Sequence, residues 1–264
     1  MTKKPERLPI LMVLLALSAA GYMLRARQLR VGFDAAGLPT GQGLALLVIL
    51  CALAVLLAAF AALGVRKRPA FADNFTDHRI PTVLLVAAAG LLAGGCAFDL
   101  MDRQMGATSV ELLLSRVAGA LGVVSGLCFV AMGAIRHQGK KPAAAAWLIP
   151  VVYYILQTVF SFKTWSTDPV IVDYCFKLFA LITAMLSAFH AAGFVFDAGS
   201  RRACLFFCLC GVFFSCVTLA DGGTPHIMRT AGAALFMLAT AFELLGEKKE
   251  PCEESEAACD SPAL

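Results

Sequence analysis

Residues 43–64 read GLALLVILCALAVLLAAFAALG, and no charged side chain interrupts them. A helix rises about 1.5 Å per residue, so roughly 20 residues cross the hydrocarbon core of a bilayer, which is about 30 Å thick. Lipid offers no hydrogen-bond partner to a backbone N–H or C=O group, whereas a helix satisfies both within its own segment. The stretch therefore predicts a transmembrane α-helix.

Seven more segments of the chain share this length and apolar character. They are residues 8–24, 82–101, 117–135, 143–162, 170–197, 203–220 and 227–245. Hydrophobic residues make up 59% of the 264 positions, 15% of the residues are charged, and the mean hydropathy is +0.79. Soluble domains are about 45–50% apolar and about 25% charged. The sequence thus predicts an all-α polytopic transmembrane helix bundle of about eight spans and excludes an ordinary soluble domain.

We expect residues 1–246 to form a single transmembrane domain. Beyond it, residues 247–264 carry six acidic side chains, two lysines and two prolines, without apolar periodicity. Such a segment cannot bury enough apolar surface to order its backbone. This composition predicts a disordered acidic cytoplasmic tail.

The distribution of lysine and arginine predicts the orientation of the chain in the membrane. Fourteen of the 22 lie on the side of the N-terminus, and eight lie on the opposite side. Cytoplasmic loops carry the excess of these residues, so we expect a cell (plasma) membrane protein with both termini in the cytoplasm. Arg25, Arg27 and Arg30 disagree with this topology, because it places them outside.

The first segment also allows a second interpretation. Lys3, Lys4 and Arg7 precede an apolar run that ends in SAAG at residues 18–21, a pattern that resembles a secretory signal with a small-residue cleavage site. Cleavage there would leave seven spans, with the C-terminus still inside. The sequence leaves both alternatives open.

Ionisable side chains within or beside apolar spans are costly in lipid unless they are paired or reach water, which makes them candidates for a ligand or ion pathway. Most of them fall at one predicted face, the non-cytoplasmic one. Asp173 and Lys177 are four residues apart on one helical face, a spacing that favours an ion pair. The residues predicted at this face are Asp99, Asp102, Arg103, Glu111 and Arg116 around the third-to-fourth connection, Lys163, Asp168, Asp173, Tyr174 and Lys177 around the fifth-to-sixth connection, and Asp221, His226 and Arg229 in the last turn. We expect them to line a polar vestibule; the alternative is that they are interfacial residues that reach water and pair with one another.

His190 is the one histidine that the sequence places at membrane depth. There it would relay a proton along the same pathway, or simply form a hydrogen bond to a neighbouring helix. A haem held by two histidines needs a second imidazole at the same level, and His226 lies near the outer surface, about 20 Å away in depth. The ten cysteines form no CxxC pair and mostly lie inside apolar segments, where cysteine behaves as a small apolar residue. We therefore expect no cofactor and no bound metal.

Motifs of several enzyme classes are missing from the sequence. It contains no HExxH pair for zinc hydrolysis, no phosphate-binding GxxxxGK loop and no GxSxG nucleophile elbow. No basic stretch carries interleaved aromatic residues, so nucleic acid is not an expected partner. The expected partners are the lipid bilayer and a small-molecule ligand.

Three functional classes remain open after these exclusions. The sequence favours a small-molecule or ion transporter. The second alternative is a sensory or scaffold protein that binds a lipid or protein partner. The third is a membrane-embedded enzyme that acts on lipid, with Asp99 or Asp102 as its general acid or base.

Small residues recur at a spacing of four in the third and fourth segments, at Gly90 and Gly94 and at Gly122 and Gly126. This spacing lets the backbones of two helices approach closely. We expect the two segments to pack against each other within the chain. A homo-oligomer formed through the same glycines is the alternative.

Overall fold

The computed structural model describes residues 8–31, 41–65, 71–75, 79–101, 109–137, 143–165 and 171–246. Apart from single turns and short links, these residues are helical, and no strand occurs among them. The acidic tail predicted at residues 247–264 lies outside the described residues, as do Asp102 and Arg103.

Eight of the described helices are long and apolar enough to cross a membrane, which confirms the predicted number of spans. They are α1 (Leu8–Val31), α2 (Gly41–Leu63), α4 (Arg79–Met101), α5 (Ser109–His137), α6 (Ala144–Trp165), α7 (Ile171–Gly193), α8 (Arg201–Thr218) and α9 (Thr224–Leu245), and the short helix α3 (Phe71–Asn74) lies between α2 and α4. Single 3₁₀ turns, Phe194–Phe196 and Leu219–Asp221, follow α7 and α8. The chain is therefore a multi-pass integral membrane protein.

Two helices extend well beyond the segments predicted from hydropathy. α1 ends at Val31, seven residues after the predicted end, and α5 begins at Ser109, eight residues before the predicted start. Hydropathy detects only the apolar core of a span, whereas a helix continues past that core because every further turn keeps its backbone hydrogen bonds. Arg25, Arg27 and Arg30 consequently belong to α1 and not to a loop.

Successive spans alternate in direction. We call the membrane face at which α1 begins the proximal face and the face at which α1 ends the distal face. The helices α4, α6 and α8 run toward the distal face, whereas α2, α5, α7 and α9 run back toward the proximal face.

The last six spans form a closed ring. Each of the helices α4 to α9 packs against the next one along the chain, and α9 returns to pack against α4. The helices α1 and α2 pack together on the outside of α8. α8 and α9 are the most buried spans, with 67% and 61% of their most apolar 18-residue stretch inside the protein against 22% for α2. The interior of this ring is the place in the fold where a ligand would be shielded from lipid.

Close packing of α4 and α5 depends on Gly122 and Gly126. A Cβ atom at Gly122 would lie 2.2 Å from Sγ of Cys96, and one at Gly126 would lie 2.9 Å from a backbone oxygen of α4. Gly94 faces α9, where a Cβ would lie 2.7 Å from a methionine side chain, whereas Gly90 has no atom within 4 Å of that position. The close approach of α4 and α5 through glycine is thus present within the chain. The homo-oligomer stays a prediction.

Buried aromatic rings pack the proximal half of the protein. Phe75, which follows α3, lies 6.0 Å from Trp147 on α6 and 5.4 Å from Phe194 after α7, measured between ring centroids. Nearer the middle of the membrane, Phe129 and Phe236 stack with centroids 4.5 Å apart and planes at 6°. The open space inside the ring lies on the other side of these aromatic contacts.

Candidate functional site

A cavity of about 230 Å³ lies inside the ring of α4 to α9, in the distal half of the spans. Because one water occupies about 30 Å³ in the liquid, the space suits a small molecule. Aromatic side chains of α6, including Phe160 and Trp165, form part of its wall. Its polar lining consists of Asp99, Ser115, Tyr153, Tyr154, Gln157, Ser161, Lys177, Ser215, His226, Arg229 and Thr230.

Asp99 and Arg229 form an ion pair on the cavity wall. Nη1 of Arg229 lies 2.5 Å from Oδ2 of Asp99, and about a quarter of each side chain is exposed, 23% and 25%. The two helices approach closely because Gly95 has no side chain; a Cβ there would lie 2.9 Å from the carbonyl oxygen of Pro225. Asp99 follows Gly95 by about one helical turn. The close crossing of α4 and α9 therefore brings the two opposite charges together.

A second ion pair, more deeply buried, joins α1 to the 3₁₀ turn after α8. Nε of Arg25 donates to Oδ1 of Asp221 at 2.9 Å, and the two side chains are only 1% and 2% exposed. Nη1 of Arg25 also donates to Oε1 of Gln28 at 3.2 Å, and the guanidinium lies 5.3 Å from the ring centroid of Phe176. The sequence placed Arg25 in a loop after the first span, which is wrong, because Arg25 lies within α1. Asp221 neutralises this charge inside the bundle.

Lys177 lines the cavity and also neighbours the second ion pair. Its Nζ lies 3.9 Å from Oδ2 of Asp221, at the outer limit for an ion pair, and 5.5 Å from the ring centroid of Tyr174. Tyr174 stacks on Trp165, with ring centroids 5.2 Å apart and planes at 14°. One wall of the cavity thus combines an ammonium group with aromatic surface.

Two hydroxyl groups of the cavity lining have no hydrogen-bond partner among the described residues. They belong to Tyr154 and Ser215, which are 2% and 0% exposed. Tyr153 differs, because its hydroxyl lies 3.4 Å from Sγ of Cys96. A buried hydroxyl without a partner destabilises a fold. These two are therefore groups that a bound molecule would satisfy.

The structure brings four of the residues predicted for the vestibule, Asp99, Lys177, His226 and Arg229, to one cavity. Arg116 lies on α5 with an exposed side chain and does not belong to the cavity lining. Asp173 lies in the first turn of α7, and its side chain is outside the described part of the chain. The predicted residues with no described position are Asp102, Arg103 and Asp168.

His190 lies apart from the cavity, toward the proximal face. Its imidazole stacks on the ring of Phe207, with centroids 5.4 Å apart and planes at 6°, and meets Phe189 edge-on at 5.5 Å. The last cavity residue along α7 is Ala184, six residues earlier, which is about 9 Å along the helix axis. A role for His190 in coupling stays a prediction.

Arg25, Tyr154 and Ser215 are absent from the residues that the sequence predicted for the pathway. Arg25 did carry a signal, since it directly follows the first apolar segment. No signal in the sequence marks Tyr154 or Ser215, because isolated hydroxyl side chains are common in membrane spans and most of them bond to their own helix. Only the three-dimensional arrangement identifies these two hydroxyl groups as candidates for ligand binding.

No protein-family model, curated protein or solved structure matches this chain. Among the described residues, no group of three or more histidine, cysteine or acidic side chains is placed to hold a metal ion, and none of the eight described cysteines forms a disulfide. A functional assignment therefore depends on the geometry and charge of the cavity.

Proposed function

We propose that the chain is a multi-pass plasma-membrane protein that binds a small organic anion in the distal cavity, and that this binding is the first step of transport across the membrane. With both termini in the cytoplasm, as the lysine and arginine distribution predicts, the cavity would take its ligand from the non-cytoplasmic side. The observation that carries the proposal is an excess of positive charge at the cavity.

The charges around the cavity do not cancel among the described residues. Arg229 is neutralised by Asp99 at 2.5 Å, and Arg25 is neutralised by Asp221 at 2.9 Å. Lys177 is the third cation, and the described carboxylate within 4 Å of it is that of Asp221, which is 3.9 Å away and already bound by Arg25. These described groups leave one net positive charge. An excess charge beside an apolar span is costly, and a carboxylate or phosphate on the ligand would neutralise it.

The rest of the cavity lining fits a ligand whose anionic group is attached to an apolar part. Phe160, Trp165 and Tyr153 present aromatic surface, and Ala118, Ala180, Ala184 and Ala233 leave space between the helices. Small-molecule sites commonly combine such an apolar wall with a few polar groups that fix the orientation of the ligand. We therefore expect an amphipathic molecule with one anionic group, such as an aromatic or aliphatic carboxylate.

The alternative functions account for fewer of these observations. An enzyme that used Asp99 as its general acid or base would have to release that carboxylate from Arg229 first. A sensory protein would share the binding step and would differ only in the conformational response to the bound ligand. Binding of an anion is thus the property to test first.

The binding test compares phenylacetate with phenylacetamide by isothermal titration calorimetry of the full chain in detergent. The two probes have nearly the same shape and differ in charge. We expect phenylacetate to bind and Lys177→Met to weaken its binding about tenfold or more, because a hydrogen bond to a charged group contributes about 1.5–3 kcal/mol. Native mass spectrometry of the protein purified from its own membranes would identify an anion retained during purification.

Lys163→Met is the matched control for this experiment. Lys163 lies near the distal end of α6, has an exposed side chain and does not line the cavity. We expect its replacement to leave the binding of phenylacetate unchanged. Equal binding of the acid and the amide, or equal losses in the two lysine variants, would contradict the proposal.

A further inference from the structure

Buried hydroxyl groups on the helices of this protein mostly donate to a backbone carbonyl one turn earlier. Ser18 donates to the carbonyl of Leu14 at 2.8 Å, and Thr240 donates to that of Phe236 at 3.0 Å. Ser125 forms the same kind of bond at 2.7 Å. This is the usual way in which a membrane helix satisfies a hydroxyl without a partner from another helix.

Ser215 and Tyr154 depart from this pattern inside the cavity lining. Ser215 is fully buried on α8 and Tyr154 is fully buried on α6, yet neither hydroxyl has a partner among the described residues. Ser187 on α7 is also fully buried, and its hydroxyl has no partner among the described residues, but it lies outside the cavity lining. A hydroxyl that is retained without a partner in a ligand cavity is best explained by a partner on the ligand.

The direction of the helices separates these hydroxyls from the charged groups. A helical side chain leans toward the N-terminus of its own helix. Lys177 and Arg229 lie on α7 and α9, which begin at the distal face, so their side chains lean toward that face. Tyr154 and Ser215 lie on α6 and α8, which begin at the proximal face, so their side chains lean toward the middle of the membrane.

The positions along the helices agree with this separation for Tyr154 but not for Ser215. Lys177 is six residues from the distal end of α7, or about 9 Å along the axis, whereas Tyr154 is eleven residues from the distal end of α6, or about 16 Å. Ser215 is three residues from the distal end of α8, or about 5 Å. The cavity therefore has a cationic distal end and a deeper end with the neutral hydroxyl of Tyr154.

We propose that the ligand of this cavity carries a polar group at each end: an anionic group that binds Lys177 at the distal end, and a neutral hydrogen-bonding group, such as a hydroxyl, that binds Tyr154 at the deeper end. The inference rests on the proposed binding of an organic anion and specifies its class. Hydroxylated aromatic carboxylates have this arrangement, with an apolar ring between the two polar ends.

Two matched pairs of probes test the inference by calorimetry on the full chain. They are para-hydroxyphenylacetate with phenylacetate, and para-hydroxyphenylpropionate with phenylpropionate, which place the hydroxyl at two distances from the carboxylate. We expect the hydroxylated member of at least one pair to bind about tenfold tighter, since a site built to bond a hydroxyl discriminates against a ligand that lacks it. In the combined variant Tyr154→Phe with Ser215→Ala, which removes both unpartnered hydroxyls of the cavity lining, this preference should vanish.

Ser187→Ala is the matched control, because it removes a buried hydroxyl of the same kind outside the cavity lining. It should keep the preference for the hydroxylated probe. Without ligand, the Tyr154 and Ser215 variant should melt at or above the temperature of the unmodified protein, since it loses no hydrogen bond to a described residue.

The outcomes separate this inference from the proposed function. If the carboxylates bind in a manner that depends on Lys177 and neither hydroxyl improves binding, the two-ended ligand is wrong and the anion site stands. A preference that persists in the Tyr154 and Ser215 variant also overturns the inference. If no carboxylate binds at all, both proposals are wrong.

Discussion

Replacing Asp221 by asparagine should destabilise the protein more than the same replacement of Asp99. Asp221 and Arg25 are 2% and 1% exposed and bond at 2.9 Å. Asparagine keeps the size of the side chain and one acceptor oxygen, but it removes the negative charge. The buried Nε of Arg25 would then lose the carboxylate that it bonds at 2.9 Å, and Lys177 would lose its neighbour at 3.9 Å.

The size of this effect follows from the burial of the pair. Removing one partner of a buried ion pair costs about 3–5 kcal/mol, because the remaining charge stays buried without compensation. Asp99→Asn gives the matched comparison, since its pair with Arg229 is about a quarter exposed. Water screens such a pair, and pairs at exposed sites contribute about 1 kcal/mol or less. We therefore expect Asp221→Asn to lower the free energy of unfolding by at least about 2 kcal/mol more than Asp99→Asn, from the difference between these two ranges.

The measurement is the free energy of unfolding in mixed micelles titrated with a denaturing detergent, monitored by the fluorescence of Trp147 and Trp165. The double variant Arg25→Met with Asp221→Leu should recover most of the loss, because replacing both members of a buried pair by apolar residues is often neutral or stabilising. Equal effects of Asp221→Asn and Asp99→Asn would refute the reasoning. So would a double variant that is no more stable than Asp221→Asn.

Two further predictions concern the packing of the helices. Gly122→Val should lower the melting temperature by several degrees, since even a Cβ atom at this position would lie 2.2 Å from Sγ of Cys96, whereas Gly90→Val should change it little, because nothing lies within 4 Å; differential scanning fluorimetry compares the two. The N-terminal helix should be retained, because Gly21 and Arg25 of α1 contact the region of α8, and the intact mass of the purified protein should then match the 27.9 kDa of the full chain. A mass that lacks the first segment, cleaved after the small residues at 18–21, would support the signal-peptide alternative instead.

The number of spans was predictable because lipid imposes a simple rule on sequence. A segment such as residues 43–64 has no other way to satisfy its backbone in a bilayer, so length and hydropathy alone identify it. The ends of the helices were not predictable by the same rule. α1 continues through Arg25 to Val31 because Asp221, distant in sequence, compensates a charge that hydropathy counts against the helix.

The sequence predicted the membrane face at which the candidate site lies, but not which of its residues are in contact. Asp99 and Lys177 were correctly expected on one side, because alternating spans fix which helix ends share a face. Hydropathy does not state which spans are neighbours, so it could not predict that α9 packs on α4 and thereby pairs Arg229 with Asp99. For the same reason, hydropathy could not predict the pairing of Arg25 with Asp221.

A variant at His190 tests whether the protein transports the bound anion or only senses it. His190→Leu keeps an apolar contact with Phe207. The variant removes the imidazole, which is the one described group at that depth whose type ordinarily titrates near neutral pH. If His190 couples a proton to transport, proteoliposomes with this variant should lose uptake of radiolabelled phenylacetate while the dissociation constant in detergent stays the same. Unchanged uptake in the variant excludes the coupling role, and binding without uptake in the unmodified protein would favour a sensory function, because the cavity alone supplies everything that recognition of an anion requires.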